Sequence, residues 1–112
     1  MGIVYYANYF VYFEMARAQM LRDVGLPYGE LEERGVMLPV VEAHCEYKRP
    51  AHYDDLLIVQ SLTVLKGSRL RIDYEVKREQ ELIVTGYSEH VCMSPDGKVM
   101  KPIEDLKMVY NA

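Results

Sequence analysis

An α+β fold, one long helix followed by an antiparallel sheet, is what this sequence predicts. Three observations predict it. Apolar residues recur at three- and four-residue steps from Tyr9 to Val24. A strict two-residue alternation runs from Arg69 to Lys77. Turn signals then divide everything after Gly35 into four long extended runs.

The elements follow in order. Tyr9, Phe10, Phe13, Ala16, Met20, Leu21 and Val24 share the spacing of one helical face, so an amphipathic helix is expected from Asn8 to Val24. Asn8 is a suitable N-cap and Gly25 a suitable stop. Pro27 suits the first turn of a short helix through Leu31 to Arg34, ended by Gly35. Met37 to Arg49 reads as an extended segment that stops at Pro50. Leu56 to Leu65 is apolar on both faces, the pattern of a central strand covered on two sides. Lys66-Gly67-Ser68 makes a tight turn, and Leu70, Ile72, Tyr74 and Val76 then face a core while Arg69, Arg71, Asp73, Glu75 and Lys77 face water. After a turn at Glu79-Gln80, Leu82 to Met93 is the last long strand, closed by Ser94-Pro95-Asp96-Gly97. A short helix is expected from Ile103 to Val109.

At 112 residues the chain is read as one domain, 1–112, of a size at which oligomerisation often adds stability. Half of its residues are apolar and its charges are well mixed, which excludes a disordered chain. A net charge of −4 argues against a nucleic-acid partner, though a local basic cluster remains compatible with an anionic small ligand. Cys45 and Cys92 have neither disulfide nor metal-ligand spacing around them and read as packing residues. No apolar run approaches the ~18 residues of a membrane span and no signal-peptide pattern is present, so a cytoplasmic protein is expected.

The candidate site lies at the start of the long helix. A helix N-terminus offers unpaired N–H groups and a partial positive charge, which suits a polarised carbonyl or a developing oxyanion. Tyr6 and Asn8 stand there, although either is equally at home as a plain helix start. Glu14 could face a cavity beneath the sheet, pair with Arg17 three residues on, or meet a second subunit. Asp54-Asp55 reads as a turn rather than a carboxylate pair, because adjacent side chains on an extended chain diverge. His44, His52 and His90 lack a second ligand at metal-binding spacing. Tyr9, Tyr12 and Phe13 read mostly as core, with some of that face lining a pocket.

The run Gly2-Ile3-Val4-Tyr5-Tyr6-Ala7-Asn8-Tyr9-Phe10, with Tyr12-Phe13-Glu14 and Ala16-Arg17, resembles the hot-dog-fold acyl-CoA thioesterases of the hydroxybenzoyl-CoA thioesterase (YbgC-like) family. Gly25-Leu26-Pro27-Tyr28, Glu33-Arg34-Gly35, Leu38-Pro39-Val40-Val41, Tyr47-Lys48-Arg49-Pro50-Ala51 and Tyr53-Asp54-Asp55 extend the resemblance through most of the chain. It implies a hot-dog fold, a central helix wrapped by an antiparallel sheet. It also implies a catalytic aspartate three positions before Gly2, at the end of a first strand that would precede Met1, so an N-terminally truncated domain is expected. The backbone N–H of Tyr6 would polarise the thioester carbonyl, with Asn8 beside it. Many members carry His where Tyr6 stands, but the implied role belongs to the main chain. Lys66 matches a basic position of a phosphate-binding turn; Gly67 and Ser68 do not, and Arg69 joins by charge and proximity. Lys66, Ser68 and Arg69 would contact the phosphates of coenzyme A.

The expected function is therefore hydrolysis of an acyl-CoA or acyl-carrier thioester to free acid and thiol. Coenzyme A enters as substrate and no further cofactor is implied. The expected assembly is a homodimer or homotetramer with its sites at subunit interfaces. Without the upstream aspartate, activity of this chain is expected to be weak or absent. The alternative is a non-catalytic acyl-CoA or acyl-carrier-protein binding module of the same fold. A hot-dog dehydratase ranks last, because no His lies in residues 1–24.

Overall fold

A computed structural model describes residues 6–102 of the chain. Helix α1 (Asn8–Asp23) forms where the three- and four-residue spacing predicts it and buries Tyr9, Phe13 and Leu21. It begins differently from the expectation. Ala7 is the N-cap residue and is already right-handed helical (φ −67°, ψ −21°), with Asn8 inside the first turn. A side-chain cap requires an extended residue at that position. Instead, Tyr9 N–H donates to the Tyr6 carbonyl at 3.3 Å and Phe10 N–H to that of Ala7 at 3.2 Å, so a tight turn starts the helix.

Both helices end alike. At the end of α1, Leu26 N–H reaches back to the Leu21 carbonyl (2.8 Å) and Gly25 N–H to that of Arg22 (3.0 Å), with Gly25 at φ +80°. Helix α2 (Tyr28–Glu33) repeats the arrangement: Val36 N–H to Leu31 (2.8 Å), Gly35 N–H to Glu32 (3.0 Å), and Gly35 at φ +78°. Two Schellman motifs therefore reverse the chain, and each sets a buried residue beyond the glycine (Leu26, Val36) against the helix it closes.

Four antiparallel strands follow: β1 (Val40–Tyr47), β2 (Ile58–Lys66), β3 (Arg69–Arg78) and β4 (Glu81–Val91). Their order across the sheet is β1-β4-β3-β2. The alternation in β3 is as expected: Leu70, Ile72, Tyr74 and Val76 are buried beneath the helix, while Arg69 and Glu75 are exposed. The expected central position of the Leu56–Leu65 run is corrected. Its strand, β2, lies at the edge of the described sheet, with Ile58, Leu62 and Val64 exposed. Continuous apolarity was read as cover on both faces, but pattern alone does not say which neighbour a strand acquires. The first extended run is also shorter than expected, since Met37 makes only an isolated bridge to Met93 and β1 proper starts at Val40.

The turns obey local chemistry. Gly67 (φ +61°) and Ser68 join β2 to β3, and Lys66 pairs directly with Arg69. Glu79 (φ +56°) and Gln80 join β3 to β4. After β4, Gly97 N–H closes the expected turn on the Ser94 carbonyl at 2.9 Å. The expected C-terminal helix, like Met1 to Tyr5, lies outside the described residues.

Helix and sheet meet at Gly86 of β4. A Cβ there would lie 2.7 Å from the Phe13 ring and 2.5 Å from the backbone carbonyl of His44. Glycine lets the ring settle onto the strand, where it stacks on Tyr74 at 4.3 Å with the planes 2° apart.

Candidate functional site at the head of the long helix

The head of α1 is held from the sheet. The Tyr47 hydroxyl on β1 donates to the Tyr6 carbonyl at 3.2 Å, and the two rings meet edge to face with centroids 6.2 Å apart. Tyr9, buried one turn later, packs on the same Tyr47 ring at 5.8 Å. The Tyr6 side chain is exposed. Intrahelical acceptors are absent for the first amides of any helix, so this end presents donors and a positive dipole to whatever lies in front of it.

Tyr6, Phe10, Phe13, Glu14 and Arg17 are spaced to fall along one stripe of the helix. Below Tyr6, from Phe10 onward, that stripe forms one wall of a cavity of about 290 Å³. Val40 and Ala43 of β1, Tyr74 of β3 and Ser88 of β4 form the rest. A wider groove of about 710 Å³ runs along the other side of α1, between Tyr12, Ala16 and Gln19 and the approach to β2 at Leu57 and Val59.

The floor of the smaller cavity is a polar chain that sequence reasoning missed. His90 is fully buried. Its Nδ1 lies 3.1 Å from the Leu38 carbonyl, which can only accept, so Nδ1 carries the proton and Nε2 is the acceptor. Ser88 Oγ then donates to Nε2 (2.9 Å) and accepts from the Tyr74 hydroxyl (3.0 Å). Arg17 Nη1 lies 2.9 Å from Nε2 and 3.0 Å from Nδ1, over the ring face rather than in line with the single Nε2 lone pair, which Ser88 occupies. Burial, and then the Arg17 charge, push the His90 pKa down to about 4, so the imidazole is neutral near pH 7. Arg17 stands 73 residues from His90 and Leu38 stands 52 from it. No local motif could have announced them together.

The expected phosphate contacts lie elsewhere. Lys66, Ser68 and Arg69 occupy the β2–β3 turn, level with Val91 on β4, whereas Tyr47 and the helix head are level with Val84. Those levels are seven residues apart along β4, about 23 Å at roughly 3.3 Å per residue. One chain does not bring its helix head and this turn together. Arg69 is also engaged by Glu89 at 2.9 Å, while no carboxylate among the described residues lies within ion-pair distance of Lys66.

Other candidates resolve simply. Asp55 is a turn residue: it accepts from the His52 backbone (2.8 Å) and from Arg78 (2.7 Å), and these bonds hold its pKa below the usual carboxylate value. Glu14 is exposed at the cavity wall and makes no ion pair with Arg17. Cys92 is buried and Cys45 half-buried, and burial raises both thiol pKa values.

Known proteins resemble this chain in sequence and in fold. The profile of the family described as "Thioesterase-like superfamily" matches residues 1–108. The Bacillus subtilis (strain 168) protein named "Putative acyl-CoA thioesterase YneP" is 35% identical over 106 residues, covering 93% of this chain and 75% of the relative. "Acyl-CoA thioester hydrolase YbgC" of Escherichia coli O157:H7 is 32% identical over 96 residues, covering 84% of this chain and 72% of the relative. Among solved structures, the hypothetical protein TT1821 from Thermus thermophilus superimposes with a TM-score of 0.92 at 33% identity, over 99% of this chain and 86% of that one.

Proposed function

The chain belongs to the thioesterase-like superfamily and is a hot-dog thioester hydrolase, and from that premise we propose that it cleaves acyl-CoA or acyl-carrier thioesters at the head of α1. One observation carries this reading: the helix head and the cavity wall from Phe10 to Arg17 belong to a single stripe of α1. An acyl group seated in the cavity sets its carbonyl against the N-terminal amides, at Tyr6 and beside Asn8. Water adds to the carbonyl carbon, the oxyanion is stabilised by these donors and the helix dipole, and collapse breaks the C–S bond to release acid and thiol.

The general base is assigned to the aspartate that the family motif sets three positions before Gly2. A positioned base of this kind contributes on the order of 10²–10⁴-fold. The working unit is a homodimer or homotetramer. The helix head and the Lys66–Arg69 turn lie too far apart in one copy, and β1 presents exposed Val40, Val41 and Tyr47 at an edge of the described sheet. In this reading Lys66, Ser68 and Arg69 of one subunit hold the phosphates of a thioester cleaved at the helix head of another.

The test is release of free thiol from a panel of acyl-CoA and acyl-carrier substrates, by these residues alone and by a chain extended upstream. Faster turnover by the extended chain supports the reading. Tight binding without turnover by either favours the non-catalytic binding module. Mixing a Tyr6→Pro variant with a Lys66→Glu/Arg69→Glu variant should restore activity if the site is shared between copies; no restoration rejects the shared site.

A further inference from the structure

We propose that the cavity beneath α1 selects acyl groups whose far end carries a carboxylate, with Arg17 as its partner and His90 as the residue that positions Arg17. The inference rests on the thioester reading above and adds the chemistry of the acyl group.

The cavity's size comes first. About 290 Å³ lies near the lower end of ligand pockets, room for an acyl moiety and not for a whole coenzyme. Phe10, Phe13 and Val40 make its walls apolar, which suits a methylene chain.

The polar floor decides what terminates that chain. The two hydroxyls are already committed: the Tyr74 proton goes to Ser88 and the Ser88 proton to His90 Nε2. Only Arg17 has donors to spare. Among the described residues the only polar side chain that Arg17 approaches is the imidazole, through Nη1. Its Nε is buried without an acceptor, and the guanidinium otherwise lies over the Tyr28 ring at 5.2 Å. No carboxylate among the described residues comes within 4 Å of it, unlike Arg49, Arg69, Arg71 and Arg78, all of which are paired. A half-buried cation facing a neutral ring is under-compensated, and the planar fork of arginine matches a carboxylate in two parallel hydrogen bonds.

Among the described residues, Glu14 is the one acid lining this cavity, three residues before Arg17. Its side chain is exposed, so water screens its repulsion of an anion, whereas the attraction of Arg17 acts where water is scarce. His90 gives Arg17 a fixed, uncharged anchor, and an uncharged anchor leaves the positive charge for the ligand.

The experiment compares adipoyl-CoA with hexanoyl-CoA, which have equal chain lengths and differ in carboxylate against methyl. A charge-assisted pair predicts about tenfold or more higher kcat/KM for adipoyl-CoA, expressed mainly in KM. Arg17→Met should bring that ratio to about one or below. Glu14→Gln should change it little, because water screens the exposed Glu14 carboxylate. His90→Gln, a neutral residue with an acceptor, should retain more of the preference than His90→Phe. A wild-type ratio of one or less, or a ratio unmoved by Arg17→Met, overturns the proposal. If Arg17→Met does not fold, Arg17→Gln decides, and an unmoved ratio overturns the proposal. If neither thioester is cleaved, the hydrolase reading fails and binding decides instead. By NMR titration N-methyladipamic acid should then bind the wild type but not Arg17→Met, and N-methylhexanamide should bind more weakly; equal or absent binding of the acid overturns the proposal.

Discussion

Tyr6 and Gly86 matter for what their backbones do. At Tyr6 the proposed role belongs to the N–H, so Tyr6→Pro, which deletes only that donor from the main chain, should lower kcat by about 10²–10³-fold. Tyr6→Phe retains the amide and should lose far less. Thiol-release kinetics on both variants, with circular dichroism to confirm that α1 persists, checks this. At Gly86 the space is already occupied by the Phe13 ring and by backbone of β1. Gly86→Ala should therefore destabilise by about 1–3 kcal/mol, the usual cost of overpacking, measured as a lower urea midpoint. The family resemblance implied the Tyr6 role, whereas that of Gly86 could not be read from the sequence. A glycine within a strand pattern signals a close approach of something, but the ring that approaches comes from 73 residues earlier.

At the scale of elements, local rules were sufficient wherever a local interaction decides the outcome. The stops at Gly25 and Gly35 were legible because αL closure needs a residue without a Cβ, and the alternation of β3 was legible because one of its faces is buried. Gly25 has nothing within 4 Å of a built Cβ, so Gly25→Ala incurs only the left-handed backbone penalty, about 1–2 kcal/mol in a denaturant titration. The contrast with Gly86, where space and not φ is limiting, tests both arguments. Local rules failed where a distant partner decides. The position of β2 at the edge depends on which strand pairs with which, and the helix start depends on Tyr47 fastening the Tyr6 carbonyl from a strand 41 residues away.

At the scale of the whole molecule, the His90 chain ties together parts that no single element contains: α1 through Arg17, the Leu38 carbonyl ahead of β1, β3 through Tyr74 and β4 itself. It gives stability a definite pH dependence. The imidazole pKa is about 4 in the folded chain and about 6.5 in the unfolded one. Between those values the unfolded state binds more protons, so stability rises with pH through this window and is lost as pH falls from about 6.5 to about 4. The full effect is on the order of 3 kcal/mol. Urea unfolding at pH 7 and pH 5 should show the drop, and His90→Gln, although less stable at pH 7, should flatten it. Such a chain was not legible beforehand. Its four side chains are unremarkable one at a time, and only the folded sheet makes them neighbours.

The seat of Phe13 on Gly86 bears on more than stability. Phe13 also lines the acyl cavity, so the missing side chain on β4 acts as a spacer gauge for the gap between helix and sheet. Substitution at this one strand position would lift α1 and deepen the gap without placing a new group against the ligand. Chain-length preference could thus be retuned from outside the binding surface, by a residue that no inspection of ligand contacts would nominate.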